Sequence, residues 1–114
     1  MAEHYYHSES SKQLRKLRQL KPNLFGSFID FDKKVFADGA LDLKTKEIIA
    51  VATAHITQCP FCIDAHTKRA KSAGASDTEI AEAIFVAMAM RAGGAFAHAA
   101  IAMESLEEEP KTTS

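Results

Sequence analysis

Residues 47–66 read EIIAVATAHITQCPFCIDAH, and this stretch decides how the rest of the chain is organised. Its first half is apolar almost all the way round a helical wheel. Ile48, Ile49, Ala50, Val51, Ala52, Ala54 and Ile56 leave little polar arc, the pattern of a buried helix. Glu47 is the exception. It falls on the wheel between Val51 and Ala54, so its carboxylate is expected to point into low dielectric. Cys59 then stands at a helix cap, and Pro60 takes a first helical position, where a missing N–H costs nothing. The following helix puts Cys62, His66, Ala70 and Ala73 on one stripe and turns Asp64, Lys68 and Lys71 the other way. The stretch therefore reads as two antiparallel helices meeting at the two cysteines of the chain, a thiol redox centre at a helix junction.

Towards the N-terminus, Ala37-Asp38-Gly39 ends a preceding helix and Asp42 caps the one that contains Glu47. That preceding helix opens at Pro22. It carries Leu24, Phe25, Phe28, Ile29, Phe31, Val35 and Phe36, aromatics and aliphatics at helical spacing that are expected to be core. Before it, Glu9 to Leu20 forms a basic helix with Leu14, Leu17 and Leu20 on one side. Residues 1–8, with His4 and His7, have no periodicity and are expected to be mobile. Towards the C-terminus, Gly74 stops the cysteine helix, and Ser76 with Glu79 makes a capping box for another starting near Asp77. This last segment is long and rich in alanine and methionine, with a kink or break expected at Gly93-Gly94. Each of its small residues buries little area, so another subunit is expected to supply the surface it packs on. Residues 107–114 read as a frayed acidic tail. No strand signal or internal repeat appears, so the expectation is an all-α bundle of about five to six helices, one domain over 9–106.

The composition narrows the functional classes. At 114 residues, 46% hydrophobic and 25% charged, the chain is that of a small globular domain. A formal net charge of -1 offers no general attraction to nucleic acid or anionic membrane, although Lys12, Arg15, Lys16, Arg18 and Lys21 crowd one end and Glu104, Glu107, Glu108 and Glu109 the other. Two cysteines three positions apart close too short a loop to staple a secreted fold, and MAEHYYHSES contains no signal-peptide pattern. A reducing, cytoplasmic setting is expected. Ile84 to Met103 is about long enough to span a bilayer, but Arg91 near its middle and its many alanines oppose that reading.

A thiol attacks only as thiolate, and an ordinary cysteine with pKa about 8.5 is mostly protonated at neutral pH. A helix N-terminus favours ionisation of Cys59, and His66 one turn on favours ionisation of Cys62, so the residues leave open which sulfur attacks. Glu47 can orient His66 and take its proton. Counting about 1.5 Å per residue from the junction places Glu47 about 15 Å away and His66 about 9 Å, a difference that a glutamate side chain or one water spans. Burial is expected to make that carboxylate a proton acceptor rather than an inert anion. Rival readings are two small buried residues, or a zinc site drawn from Cys59, Cys62, His66 and either His55 or Glu47. His55 reads as a packed helix residue and His98 as a satisfied interface or core residue; Arg69 borders the Cys62 stripe, where it can favour thiolate, although a surface ion pair is the commoner fate of such a residue. Ile63 after Cys62 excludes a haem-attachment motif.

A glutamate, C-x-x-C twelve positions later and a histidine four after the second cysteine resemble the active-site signature of the alkylhydroperoxidase D-like proteins of the carboxymuconolactone decarboxylase family. LDLKTKEIIAVATAHITQC and CIDAHTKRAKSAGASDTEIAEAI are similar to the family core, over about residues 20 to 105. The resemblance implies an all-α fold and helix-mediated trimers or hexamers. It also implies reduction of hydroperoxides by a cysteine pair without a cofactor or metal, recycled by an external dithiol or thiol protein. It makes Cys62 the peroxidatic thiol, Cys59 the resolving thiol, and His66 with Glu47 the proton relay. Phe61 stands where peroxidases of the family carry a histidine, which implies slow general peroxide turnover. The family also holds decarboxylases that need no cysteine pair. An acid/base enzyme using His66 and Glu47, or a redox-sensing oligomer without catalysis, are the alternatives.

Overall fold

The computed structural model describes residues 9–108; the calls on mobility at 1–8, on His4 and His7, and on fraying beyond 108 lie outside the described residues. Five helices make up this part: α1 (Glu9–Leu20), α2 (Pro22–Phe36), α3 (Leu43–Thr57), α4 (Pro60–Ser72) and α5 (Asp77–Glu107). No strand occurs among the described residues, and the fold is all-α as expected.

The helix boundaries follow the chemistry of their ends. Asp42 caps α3 by accepting from the Thr45 N–H at 2.9 Å. Ser76 caps α5 by accepting from the Glu79 N–H at 3.0 Å, while Glu79 returns the bond to the Ser76 N–H at 2.9 Å. Gly74, at φ +102°, lets the chain turn after α4 in a conformation that disfavours side chains. Between α3 and α4 the turn is made by Gln58, a non-glycine residue at φ 59°. Lys44 and Glu79, 2.9 Å apart, tie the start of α3 to the start of α5.

The core is small and lies where α3, α4 and α5 meet. Val51, Ala70, Ala75 and Ile80 form its centre, with Ile48 and Ile84 packed on it and Ala54, Ala83 and Ala87 buried nearby. Apart from Val51 and Ile80 these buried residues are alanines, each removing little area from water.

Three expectations are corrected here. The large apolar residues of α2 are not core: no residue of that helix is fully buried, and Leu24, Phe28 and Phe31 are 66%, 61% and 64% exposed. The backbone of the α1–α2 hairpin approaches the other helices only where α2 meets α3, with Phe36 at the end of α2 reaching on to α4, so most of the hairpin's apolar surface meets no other part of the chain. Second, α5 runs through Gly93 and Gly94 without a break, because the segment lacks proline and nothing approaches the glycine positions within 4 Å to wedge the helix open. Third, residue 107 is not frayed but the last residue of α5. The radius of gyration is 19.8 Å, against about 13 Å for a compact domain of about 100 residues.

By length and composition α5 is apolar enough to cross a membrane. Its middle is nevertheless tied to the bundle, since Arg91 donates from Nη1 to the Ile56 carbonyl at the end of α3, at 3.0 Å.

Candidate active site

The site is built at the α3–α4 junction. The left-handed Gln58 ends α3, and Cys59 follows as the N-cap of α4, its sulfur accepting from the Cys62 N–H at 3.2 Å. Pro60 at the first helical position leaves no orphan donor there. One turn of helix brings Cys62 back over Cys59, and the two sulfurs lie 2.7 Å apart, both as free thiols and both partly buried. A disulfide needs about 2.05 Å, so closure requires only a small movement.

Cys62 does not have the easily ionised thiol expected from its neighbours. Its pKa is pushed up to about 11, first by the hydrogen bond with the Cys59 sulfur, then by burial, then by the charge on Cys59. Two sulfurs in contact cannot both ionise cheaply. The Cys59 sulfur, for its part, receives the Cys62 N–H at the N-terminal end of α4.

Behind the sulfurs, Glu47 and His66 meet directly. His66 Nδ1 donates to Glu47 Oε1 at 2.6 Å, with side-chain exposures of 16% and 4%. With Nδ1 occupied in this way, Nε2 is left with the lone pair. His66 lies one turn after Cys62 on α4, on the helical stripe that the spacing predicts. Glu47 can occupy a buried position because its helix is held at both flanks: Val51 and Ala54 bury the same face, and the carboxylate has a partner.

Phe36 completes the surroundings of the imidazole, its ring stacked on His66 with centroids 5.2 Å apart and planes at 21°. The sequence reading placed Phe36 in a core and missed this contact, for which no local signal exists. The α2–α3 corner fixes it. Lys46 Nζ donates to the carbonyls of Val35 and Ala37, and Asp38 accepts from the Leu43 N–H at 2.7 Å. An open cleft of about 470 Å³ runs alongside, lined by Ile29, Asp32, Phe36, Glu47 and Arg69 among others. Arg69 thus belongs to the Glu47 side of the site.

The other candidates separate from this group. His55 Nδ1 donates to the Val51 carbonyl at 2.8 Å, the packing role expected of it. His98 makes the equivalent bond to the Gly94 carbonyl at 2.8 Å, but is exposed rather than packed in a core. Among the described residues no three or more His, Cys, Asp or Glu side chains gather as a metal site. Phe61, between the two cysteines, is 43% exposed.

Comparison with known proteins agrees with the fold. An uncharacterized protein from the cox locus of Paracoccus denitrificans is 56% identical over 82 residues, 72% of this chain and 74% of the relative. The crystal structure of a carboxymuconolactone decarboxylase family protein from Legionella pneumophila superposes with a TM-score of 0.68 at 37% identity, covering 87% of this chain and 88% of that one. A Thermotoga maritima member of the same family, described with a suggested involvement in antioxidative response, superposes at 0.63 with 28% identity, covering 89% and 94%. The family model for carboxymuconolactone decarboxylases matches residues 22–105, which takes in α2 to α5 but for the last two residues of α5. The chain belongs to the carboxymuconolactone decarboxylase family.

Proposed function

We propose that the protein is a thiol-dependent peroxidase that reduces hydroperoxides through Cys62 and Cys59, with His66 and Glu47 moving protons. The observation that carries this reading is that one pair of helices, α3 and α4, bears both a sulfur pair at 2.7 Å at its junction and a buried carboxylate–imidazole pair at 2.6 Å further along. The description of the Thermotoga relative lends it support. The Cys62 thiol is hard to ionise, and the relay answers that difficulty. His66 Nε2 takes the Cys62 proton, and the thiolate attacks the distal oxygen of ROOH. The O–O bond breaks, the proton returns from His66 to the departing alkoxide, and ROH leaves with Cys62 as sulfenic acid. The Cys59 sulfur then attacks the Cys62 sulfur, a disulfide forms and water departs. A dithiol or thiol protein supplies the two electrons that reopen the pair.

The test is single-turnover oxidation followed by mass spectrometry. Cys59→Ser retains the first oxidation and stops at sulfenic acid; Cys62→Ser consumes no peroxide. Peroxide consumption by Cys62→Ser at the native rate would exchange the two roles, making Cys59, with its helix N–H, the attacking sulfur. A second reading has one observation in its favour: the cleft is lined by Glu47 and not by the sulfurs, which suits acid/base chemistry on a carboxylated substrate. Activity that survives complete thiol alkylation selects that reading.

A further inference from the structure

Resting on the peroxidase reading above, which uses His66 as a proton carrier, we propose that Phe36 is a positioning residue of the relay. Its ring holds the His66 imidazole with Nδ1 towards Glu47, and Lys46 holds Phe36 in place.

One hydrogen bond does not fix an imidazole. The bond from His66 Nδ1 to Glu47 Oε1, at 2.6 Å, restrains one edge of the ring. The ring can still tilt about that contact, or turn over about its Cβ–Cγ bond and trade Nδ1 for a carbon at the carboxylate. Either motion releases the bond that keeps the proton on Nδ1 and the lone pair on Nε2. A neighbour lying flat against the face of the ring blocks both. Phe36 is that neighbour, with centroids 5.2 Å apart and planes 21° from parallel. Space makes the restraint necessary: an open cleft of about 470 Å³ has Phe36 and Glu47 in its wall, so a ring released from the stack has somewhere to go.

Phe36 is not held by a core. It is the last residue of α2, a helix with no buried residue, and is itself only partly buried. Its backbone is what is gripped. The last carbonyls of a helix lack partners within it, and Lys46 on α3 takes those on either side of Phe36. Its Nζ donates to the Val35 carbonyl at 2.7 Å and to the Ala37 carbonyl at 2.5 Å. Asp38 adds a second tie by accepting from the Leu43 N–H at 2.7 Å. Lys46 and Glu47 are consecutive, so one turn of α3 grips both members of the stack, Phe36 through its backbone and His66 through its ring. The stack in turn joins α2 to α4, two helices whose backbones do not approach one another. Anchoring the corner would not demand an aromatic ring. Lys46 can hold those carbonyls whatever residue stands at position 36, whereas only a flat side chain there orders the imidazole.

Nuclear magnetic resonance of the His66 ring in mildly alkaline buffer, where an imidazole is ordinarily neutral, tests this. Nitrogen–proton correlations read the tautomer, and ring-current displacement of the His66 protons reads the stack. The wild-type chain shows one tautomer, with the proton on Nδ1, and displaced ring protons. Phe36→Leu keeps apolar bulk without the plane: the displacement vanishes, the Nε2–H tautomer appears, and single-turnover oxidation of Cys62 by peroxide slows about tenfold. Phe36→Tyr restores each of these readouts. Lys46→Met keeps the stem and drops the clasp; it reproduces the losses of Phe36→Leu, and the double variant is no worse than either single one. Neither residue belongs to the core shared by α3, α4 and α5, and circular dichroism with urea unfolding checks the fold of each variant. A native tautomer in Phe36→Leu overturns the proposal, as does an undisturbed stack in Lys46→Met, or losses that multiply in the double variant. The spectra are read on the resting protein, so a wild-type chain with an ordered ring and no peroxide turnover counts against the function proposed above and leaves the positioning by Phe36 standing.

Discussion

At Cys62 the nearest sulfur outweighs the helix end. The thiol is held up to about 11 chiefly by its bond with Cys59, so Cys59→Ser, which removes that sulfur, brings the Cys62 pKa down towards the ordinary 8.5 or so. The rate of iodoacetamide labelling against pH reads it directly, and a profile still centred near 11 would contradict the assignment. For the wild-type pair, alkylation of Cys62 stays slow until pH approaches that value. Glu47→Gln removes the carboxylate charge that faces His66 Nδ1 and, on the proposed mechanism, lowers the rate of the first oxidation by about 10². Stopped-flow peroxide consumption measures the loss. The four site residues were legible because their spacing is local: Glu47 and His66 lie on helices whose lengths fix their depth, and counting residues from the junction brought them within reach. Phe36 was not legible. Its contact depends on the angle at which α2 returns to α4, which Lys46 and Asp38 set from outside the motif.

Among the helices, the capping box of α5 and the cap of α3 carry most of the local specification. Glu79 and Asp42 are held below their ordinary carboxyl values, each first by a backbone N–H, of Ser76 and Thr45 respectively. Groups with depressed folded pKa stabilise the fold above their unfolded values and lose that contribution as pH falls through the folded ones. Stability therefore declines as pH falls through and below the ordinary carboxyl range, and Glu79→Gln flattens that limb in urea titrations at a series of pH values. Ser76→Ala costs about 1 kcal/mol at neutral pH by the same measurement. The boundaries of α3, α4 and α5 were readable from such end signals. The course of α5 through Gly93 and Gly94 was not, because glycine lowers helix propensity without forbidding helix, and flanking alanines and methionines outweigh the pair. Gly93→Ala adds about 0.4 to 1 kcal/mol, since a Cβ there meets nothing within 4 Å. Thermal unfolding checks the sign.

For the molecule as a whole, a core of alanines and few larger residues leaves one chain short of buried area. If copies associate, as the sequence reading expects, the melting temperature rises with protein concentration by mass action. Calorimetry over a hundredfold concentration range shows the trend, and a constant value contradicts it. The aromatic run of α2 misled the reading of the core because periodicity tells that a face is apolar, not whose surface covers it. One detail of the junction reaches across every level. The sulfur of Cys59 caps α4 and, in the proposed cycle, is also the redox partner, so each disulfide formed there would rewrite the bond that starts that helix. The peptide proton of Cys62 is then a natural gauge of oxidation state. Its exchange with deuterated solvent is expected to differ between the reduced and oxidised pair, a readout that needs no dye, electrode or added substrate analogue.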